Sequence, residues 1–472
     1  MTRATVDLHA PPPAESETLE DLALRDDYAL NPRYVHMVVE AADRGDSAQL
    51  KELVGALHPA DVADLMGFLS AEDRAQVIPH LPPEALAEIL FELDTNIREE
   101  VLELVDPAAL ARALGELESD DQADVVEDLE DDKRDAVLAA MSDVDRAAIE
   151  STLSYDEESA GRLMQREVMA APQFWTVRQT IDHVREAADD LPELFFDVYV
   201  VDPAFKPIGA LPVSSLLKAP GEALLSSIME SVTEIPVDMD QEEVAYIFDK
   251  YHLVSAPVTD AGGRLVGQIT VDDIVGVIQE EAEEDILALA GVSDAGRDAG
   301  VLGTVRARLP WLIANLATEA VAVTSISIFQ AEVAKVVALA VLMPIVSSVG
   351  GNAGTQTLAV AVRSLASKEL NAANAGRVIW RELAVAVING VSLALVMGGA
   401  TFGIYHNGRL AITVGLALIA NIFTAGLAGI LAPLLLERIG RDPAVPSPIL
   451  ITFLTDFMGF FAVLGIAALI LL

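Results

Sequence analysis

The sequence predicts a multidomain chain: an all-α superhelical N domain, a tandem α/β pair, an acidic connecting helix and a five-span α-helical membrane domain. Three observations lead there. Charge is split along the chain, with 66 Asp/Glu against 20 Lys/Arg up to Val301 and 7 against 10 beyond it. Hydrophobic residues make up 52% of the 472, which is high for a wholly soluble protein. Short strings recur at fixed spacing, 24 residues apart in the acidic half and 58 residues apart after it. The charge split also excludes a class of partner. So acidic a half repels a phosphate backbone, which argues against nucleic acid and leaves cations as its natural counterions. With no cysteine in the chain, disulfide scaffolds, thiolate metal sites and cysteine nucleophiles are excluded as well.

Residues 1–30 read as a disordered leader, with a Pro11–Pro13 run, several acids and no apolar stretch of a signal peptide. The large region that follows is therefore expected to stay in the cytoplasm. Residues 31–153 carry apolar positions at intervals of three and four, the pattern of helices. The strings His58 to Leu65, Pro83 to Ile89 and Pro107 to Ala113 repeat with a period of 24, each Pro just inside a helix start. Two short helices per period stack into a superhelix. Ten acids crowd between Glu116 and Asp132. They form either a solvated face or, given the cost of so many like charges, a divalent-cation sensor.

Residues 154–277 turn strand-rich. Asp197 to Asp202, a turn, Ile208 to Val213 and a helix start make one unit, and Ser255 to Asp260, Leu265 to Val271 and a helix from Asp272 repeat it. His183 and His252 stand alone and read as packing residues. No nucleophile sits beside a base, so no enzyme is expected. Residues 278–302 form the connecting helix and linker. In it Glu281 lies one turn from both Glu284 and Asp285, so these carboxylates face one cation. A coupling element and a plain solvated linker are both open for this stretch.

Residues 303–472 hold five apolar stretches of spanning length, near 311–329, 336–362, 383–404, 411–436 and 449–472. With the acidic half inside, eight Lys/Arg (Arg306, Arg308, Arg363, Lys368, Arg377, Arg381, Arg438 and Arg441) fall on the inner side, against Lys335 and Arg409 outside. That bias predicts a multi-pass protein of the plasma membrane, the inner one of the cell, with a cytoplasmic N-terminus and an outer C-terminus. Span two carries Pro344 and the string Gly350 to Gln356, which predicts a broken helix, with close helix packing as the alternative. Its Asn352, Thr355 and Gln356 offer neutral oxygens to the water shell of an ion. Span five carries one acid, Asp456, after Thr452 and Thr455, and a lone carboxylate in hydrocarbon marks an ion path, a proton relay or a buried ion pair; with no Lys or Arg deep in the spans, a cation is the partner expected. Glu319 is a further acid inside a span. Hard oxygen ligands favour Mg²⁺ or Ca²⁺ over Zn²⁺ or Cu⁺.

The 58-residue units resemble a tandem pair of CBS domains, modules that in some proteins hold adenine nucleotides such as ATP. The order of the whole chain resembles the MgtE family of magnesium transporters. The strings that carry the resemblance are Ser154 to Met164, Asp240 to Val244, Gly263 to Gly267 and Thr270 to Asp273, then Glu281 to Ile286, Gly350 to Gln356, and Asp442 to Ala444 with Asp456 beyond. The resemblance implies a homodimer in membrane lipid, with a pore on its two-fold axis. Asp456 then holds hydrated Mg²⁺, with Asn352, Thr355 and Gln356 on the neighbouring helix. It further implies regulatory Mg²⁺ at a sensor that includes Asp240, Glu242, Asp273, Glu281, Glu284 and Asp285, with Asp442 in the loop that meets the connecting helix. Gly276, His252, Glu319, Pro448 and Phe453 depart from the family pattern. The function expected is a Mg²⁺-selective, channel-like transporter for uptake down the electrochemical gradient, gated by cytoplasmic Mg²⁺. A transporter of Co²⁺ or Ca²⁺, and a CBS-containing membrane sensor that transports nothing, are the alternatives.

Overall fold

Proline sets the starting points of the N-terminal repeats. Pro59 and Pro107 occupy the first helical turn, where a missing N–H is no loss, and His58 and Asp106 before them accept N–H groups of that turn. The computed structural model describes residues 19–82, 85–187, 191–192, 194–292, 301–329, 335–370, 373–439 and 447–471. The repeat start at Pro83 and the loop acid Asp442 lie outside them. The described chain divides into two compact units, one ending at Ile278 and one beginning at Gln279.

In the first unit the acidic domain consists of α1 (Leu19–Ala23), α2 (Pro32–Arg44), α3 (Ser47–Val54), α4 (Pro59–Phe68), α5 (Ala71–Val77), α6 (Leu86–Glu92), α7 (Thr95–Leu104), α8 (Pro107–Leu114), α9 (Ser119–Glu127), α10 (Asp131–Ala140) and α11 (Asp143–Thr152). Helix α4 packs on α6, α8 on α10 and α9 on α11, as a stacked array requires. Met66, Leu90 and Leu114, spaced by the repeat, are all fully buried, each contributing roughly 1.5–3 kcal/mol by leaving water. A second ladder was not foreseen. Arg74 donates to the Leu69 carbonyl at 2.9 Å and to Glu100, and Arg98, one period on, donates to the Phe91 carbonyl at 2.9 Å and to Asp124 at 2.7 Å. Each arginine thus caps the helix before it and ties down the repeat after it.

One boundary needs correction. Ala23 and Leu30 are buried in this same core, and the Asn31 N–H donates to the Ala23 carbonyl at 2.8 Å. The domain therefore begins by Leu19, inside the stretch assigned to a disordered leader, because its apolar residues pack into the same core.

The α/β pair follows as α12 (Ala160–Leu163), β1 (Ala170–Pro172), α13 (Val177–Glu186), β2 (Asp197–Val201), β3 (Pro207–Pro212), α14 (Val213–Leu216), α15 (Leu225–Ile228), β4 (Ile235–Pro236), α16 (Gln241–Tyr251), β5 (Ser255–Thr259) and β6 (Leu265–Thr270). The sheets run β1-β2-β3 and β4-β5-β6, each with one parallel and one antiparallel pair. Even the register shift recurs, at Val200/Val201 and again at Val258/Thr259. The Tyr199 hydroxyl donates to Ser255 Oγ at 2.8 Å, and that hydroxyl donates to Asp197 at 2.7 Å, which ties β2 to β5.

Helix α17 (Val271–Leu289) runs through the boundary expected at 277/278, so the connecting helix is the continuation of the last helix of the pair. The second unit contains α18 (Val301–Ile328), α19 (Ala338–Ala366), α20 (Ala375–Tyr405), α21 (Gly408–Arg438) and α22 (Ser447–Ile470), five helices long and apolar enough to cross a membrane. Helix α21 lies at the centre, against α19, α20 and α22, while α18 packs on α22. The expected break in span two is absent: α19 is continuous through Pro344 and the glycines. Neighbouring helices enclose it closely enough to hold a helix that its own propensity would weaken.

Candidate functional site

Two groups of carboxylates stand out, one in each unit. In the first, Ser119 starts α9 and its hydroxyl donates to Glu167 at 2.8 Å, while accepting from the Arg166 N–H at 2.8 Å. Gln165 donates to Glu118, and Gln268 donates to the Glu167 carbonyl at 2.9 Å and to Gln165. This seam seats the start of α9 against the α/β pair. The next two residues, Asp120 and Asp121, then meet Asp273 in the first turn of α17, with one carboxylate oxygen of each within 4.8 Å of the others. Asp273 is held by the Thr270 hydroxyl at 2.7 Å. Asp120 Oδ1 is buried and has no hydrogen-bond partner. Burial, reinforced by the Asp273 charge, raises the carboxyl of Asp120 well above its ordinary range and that of Asp121 to about 8. Burial raises Asp273 to about 6, against the lowering effect of Thr270. Three hard oxygens with an orphan among them suit a divalent cation.

In the second unit the acid of span five is Asp456, half-buried on α22. Ser347 on α19 donates its hydroxyl to Asp456 Oδ1. Glu319, half-buried on α18, lies within hydrogen-bonding reach of the same carboxyl. Neither neighbour is a cation. Asn352, Thr355 and Gln356 are exposed on the surface of the protomer, and Ser348 extends the same stripe at helical spacing. Thr452 and Thr455, expected to line a pore, return their hydroxyls to the Pro448 and Ile451 carbonyls, each at 2.9 Å, and Thr455 is fully buried.

Family comparison covers both units. A model described as the MgtE intracellular N domain matches residues 57–158, a CBS domain model matches 225–280, and an MgtE model described as a divalent cation transporter matches 343–466. The magnesium transporter MgtE of Enterococcus faecalis is 35% identical over 317 residues, 67% of this chain and 70% of that protein. The chain belongs to the MgtE family. The magnesium transporter MgtE of Thermus thermophilus is 34% identical over 68% of this chain and 72% of its own length. Among solved structures, the cytosolic domain of the Mg²⁺ channel MgtE in complex with ATP covers 52% of this chain and 99% of its own, at 34% identity and a TM-score of 0.48.

Within this MgtE-family chain, the acids expected at a sensor do not all meet. Asp273 joins Asp120 and Asp121, two residues picked out of the ten-acid run that composition alone left undivided. Asp240 instead caps α16, accepting the Glu242 N–H at 3.0 Å, and lines a cavity of about 630 Å³ with Asp238, Asp156, Glu158, Glu127 and Arg162. Glu242 and Glu284 are exposed, and Glu281 and Asp285 half-buried, on their helices. Of the two neighbours of Asp456, Glu319 stands out in the sequence as an acid inside a span, whereas Ser347 carries no sequence signal of its contact.

The raised carboxyls imply a pH response of the MgtE-type first unit. A group whose folded pKa is raised stabilises the fold fully below its unfolded pKa, about 4 for Asp, and loses that contribution as pH rises through the folded value. Without divalent cations, the seating of α9 on the α/β pair is therefore expected to weaken from pH 5 through 6 to above 8. Millimolar Mg²⁺ should flatten the trend by taking the place of the protons. Hydrogen exchange of residues 115–130 against pH checks this, and a protection profile independent of pH in chelator would contradict it.

Proposed function

We propose that the chain is a Mg²⁺-selective, channel-like transporter that carries magnesium into the cell down its electrochemical gradient, gated by Mg²⁺ bound at its acidic domains. One observation carries the reading: among the described residues, the neighbours of Asp456 are a hydroxyl and a second acid, which do not compensate its charge on a membrane-length helix. A permeating cation is the compensation that fits. Mg²⁺ gives up its water reluctantly, so one carboxylate with amides and hydroxyls suits it better than a dense oxygen cage does. The stripe of Ser348, Asn352, Thr355 and Gln356 supports a homodimer. Polar side chains exposed on a span need protein or water over them, which a second copy across a two-fold pore supplies.

For the gate, Asp120, Asp121 and Asp273 are the first regulatory site, Asp240 and Glu242 belong to a second acidic region, and Glu281, Glu284, Asp285 and Asp442 act at the connecting helix. Ala288 and Leu289 at the end of α17 pack with Leu358, Val362, Ala428 and Ile451. Ile451 is one helical turn before Thr455, so movement of α17 bears on the helix that carries Asp456. ATP at the CBS pair is part of the proposal on the family resemblance alone.

The test is uptake by purified protein in liposomes under an inward Mg²⁺ gradient, with Ca²⁺, Co²⁺, Mn²⁺ and Ni²⁺ as competitors. Mg²⁺ uptake that excess Ca²⁺ leaves intact is the expected result. Uptake of Co²⁺ or Ca²⁺ in preference to Mg²⁺ would replace the substrate, and no uptake of any would return the chain to the sensor class. Labels at residue 370 and after Leu472 report the orientation, expected inside and outside respectively.

A further inference from the structure

Helix α21 is apolar for most of its length, yet its middle holds an amide, Asn421, that is fully buried. Its Nδ2 donates to the Val346 carbonyl on α19 at 2.8 Å, and its Oδ1 has no partner. A polar side chain placed there at such cost needs a reason. Its surroundings are cut to fit. A Cβ at Gly350 would overlap the amide, and one at Gly459 would lie 3.1 Å from Nδ2 and 3.0 Å from Ser347 Cα. Asn421 is thus wedged between glycines of α19 and α22, at the junction of three helices.

Ser347, next to the carbonyl that Asn421 holds, behaves unlike its neighbours. Thr355, Thr413, Thr424, Thr452 and Thr455 all return their hydroxyls to the carbonyl four residues earlier in their own helix. Ser347 instead donates across to Asp456, three residues before Gly459. That bond depends on the register and approach of α19 against α22, which the amide and the two glycines set together.

We infer that Asn421 is a positioning residue of the ion path: by holding the Val346 carbonyl between Gly350 and Gly459, it fixes the register at which Ser347 orients the Asp456 carboxylate. Ser347 occupies Asp456 Oδ1 and so sets the direction in which the carboxylate faces. This rests on Asp456 as the carboxylate of the path, so the experiment must separate the two ideas.

The full-length protein is reconstituted in liposomes and Mg²⁺ flux is measured against Mg²⁺ concentration, per folded protein, for wild type, Asp456→Asn, Asn421→Ala, Ser347→Ala and the Ser347→Ala/Asn421→Ala pair. Asn421→Leu, which keeps the branched shape without the amide, guards against a variant lost to a cavity. Losing one orienting hydrogen bond is expected to raise the half-saturating Mg²⁺ about fivefold in each Asn421 variant and in Ser347→Ala. The pair should rise no further, because both changes break one link. A half-saturation unchanged in Asn421→Leu, or effects that multiply in the pair, would overturn the assignment of Asn421 while Asp456→Asn remained inert. Wild-type vesicles without Mg²⁺ flux, or Asp456→Asn vesicles that match wild type, would overturn the ion-path reading itself.

Discussion

Asp456→Asn is expected to lower Mg²⁺ flux by at least about tenfold while leaving the protein folded and assembled. The asparagine keeps the volume of the aspartate, and its Oδ1 can still accept the Ser347 hydroxyl, so the junction of α19 and α22 survives. What disappears is the full negative charge. In a span that charge attracts a divalent ion through a medium that screens poorly. Glu319 is near but sits on α18, half-buried and without the hydroxyl that orients Asp456. The membrane potential adds drive, about 4.6 kcal/mol per 100 mV for a divalent ion, but acts equally on both proteins. A flux difference between them therefore reports the site. Reconstituted vesicles with an entrapped Mg²⁺ indicator measure it. Flux within twofold of wild type would assign Asp456 to packing and leave the exposed Asn352, Thr355 and Gln356 to carry the ion alone.

Much of this architecture could be read from sequence because it rests on local signals. Pro59 and Pro107 mark helix starts, Met66, Leu90 and Leu114 mark the repeat, and the strand pairs of the α/β pair recur. Errors came where packing overrides propensity. Gly350 and Gly354 look like a helix break, yet in α19 they are close-approach points, Gly350 against Asn421 and Gly354 against Ile451. Within the protomer the Thr455 hydroxyl donates to the Ile451 carbonyl of its own helix, a local bond that spacing alone does not reveal. The carboxylate cluster was half legible. Asp273 stood in a recognisable string, whereas Asp120 and Asp121 were two acids in a run of ten. Only the seam of Glu118, Ser119, Gln165 and Gln268 decides which of them face Asp273. Asn421 was visible as a lone amide in an apolar run, a signal of the same kind as Asp456 but without a charge to draw notice.

Neutralising the cluster should have the second large effect, and its direction separates a cation sensor from a solvated face. In the triple variant Asp120→Asn, Asp121→Asn, Asp273→Asn the first unit is expected to keep α9 seated whether or not Mg²⁺ is present. The reasoning weighs two opposing terms. Like charges about 4 Å apart repel by about 4 kcal/mol at an effective dielectric near 20, and the cluster sets one oxygen of each of three carboxylates within 4.8 Å of the others. Against this stands the neutral seam, whose hydrogen bonds are each worth about 1 kcal/mol net. Above pH 8, where Asp121 and Asp273 are ionised, the repulsion is expected to outweigh the seam in the native protein without Mg²⁺, so a divalent ion is needed there to keep the contact. Asparagines remove the repulsion and leave Ser119 with Glu167 and Gln165 with Gln268 untouched. Limited proteolysis between α9 and the α/β pair should then change at least about tenfold with Mg²⁺ in the native chain and less than about twofold in the variant, since a ligand shifts an equilibrium only through its preference for one state. Flux should follow, with the variant held in the low-flux state even when internal Mg²⁺ is chelated. By contrast, the variant Glu281→Gln, Glu284→Gln, Asp285→Asn alters the connecting helix and should weaken inhibition by internal Mg²⁺ instead. If proteolysis of the cluster variant stayed as Mg²⁺-dependent as that of the native chain, the three carboxylates would be an ordinary acidic face, and the regulatory ion would have to bind elsewhere, beginning with the cavity at Asp238 and Asp240.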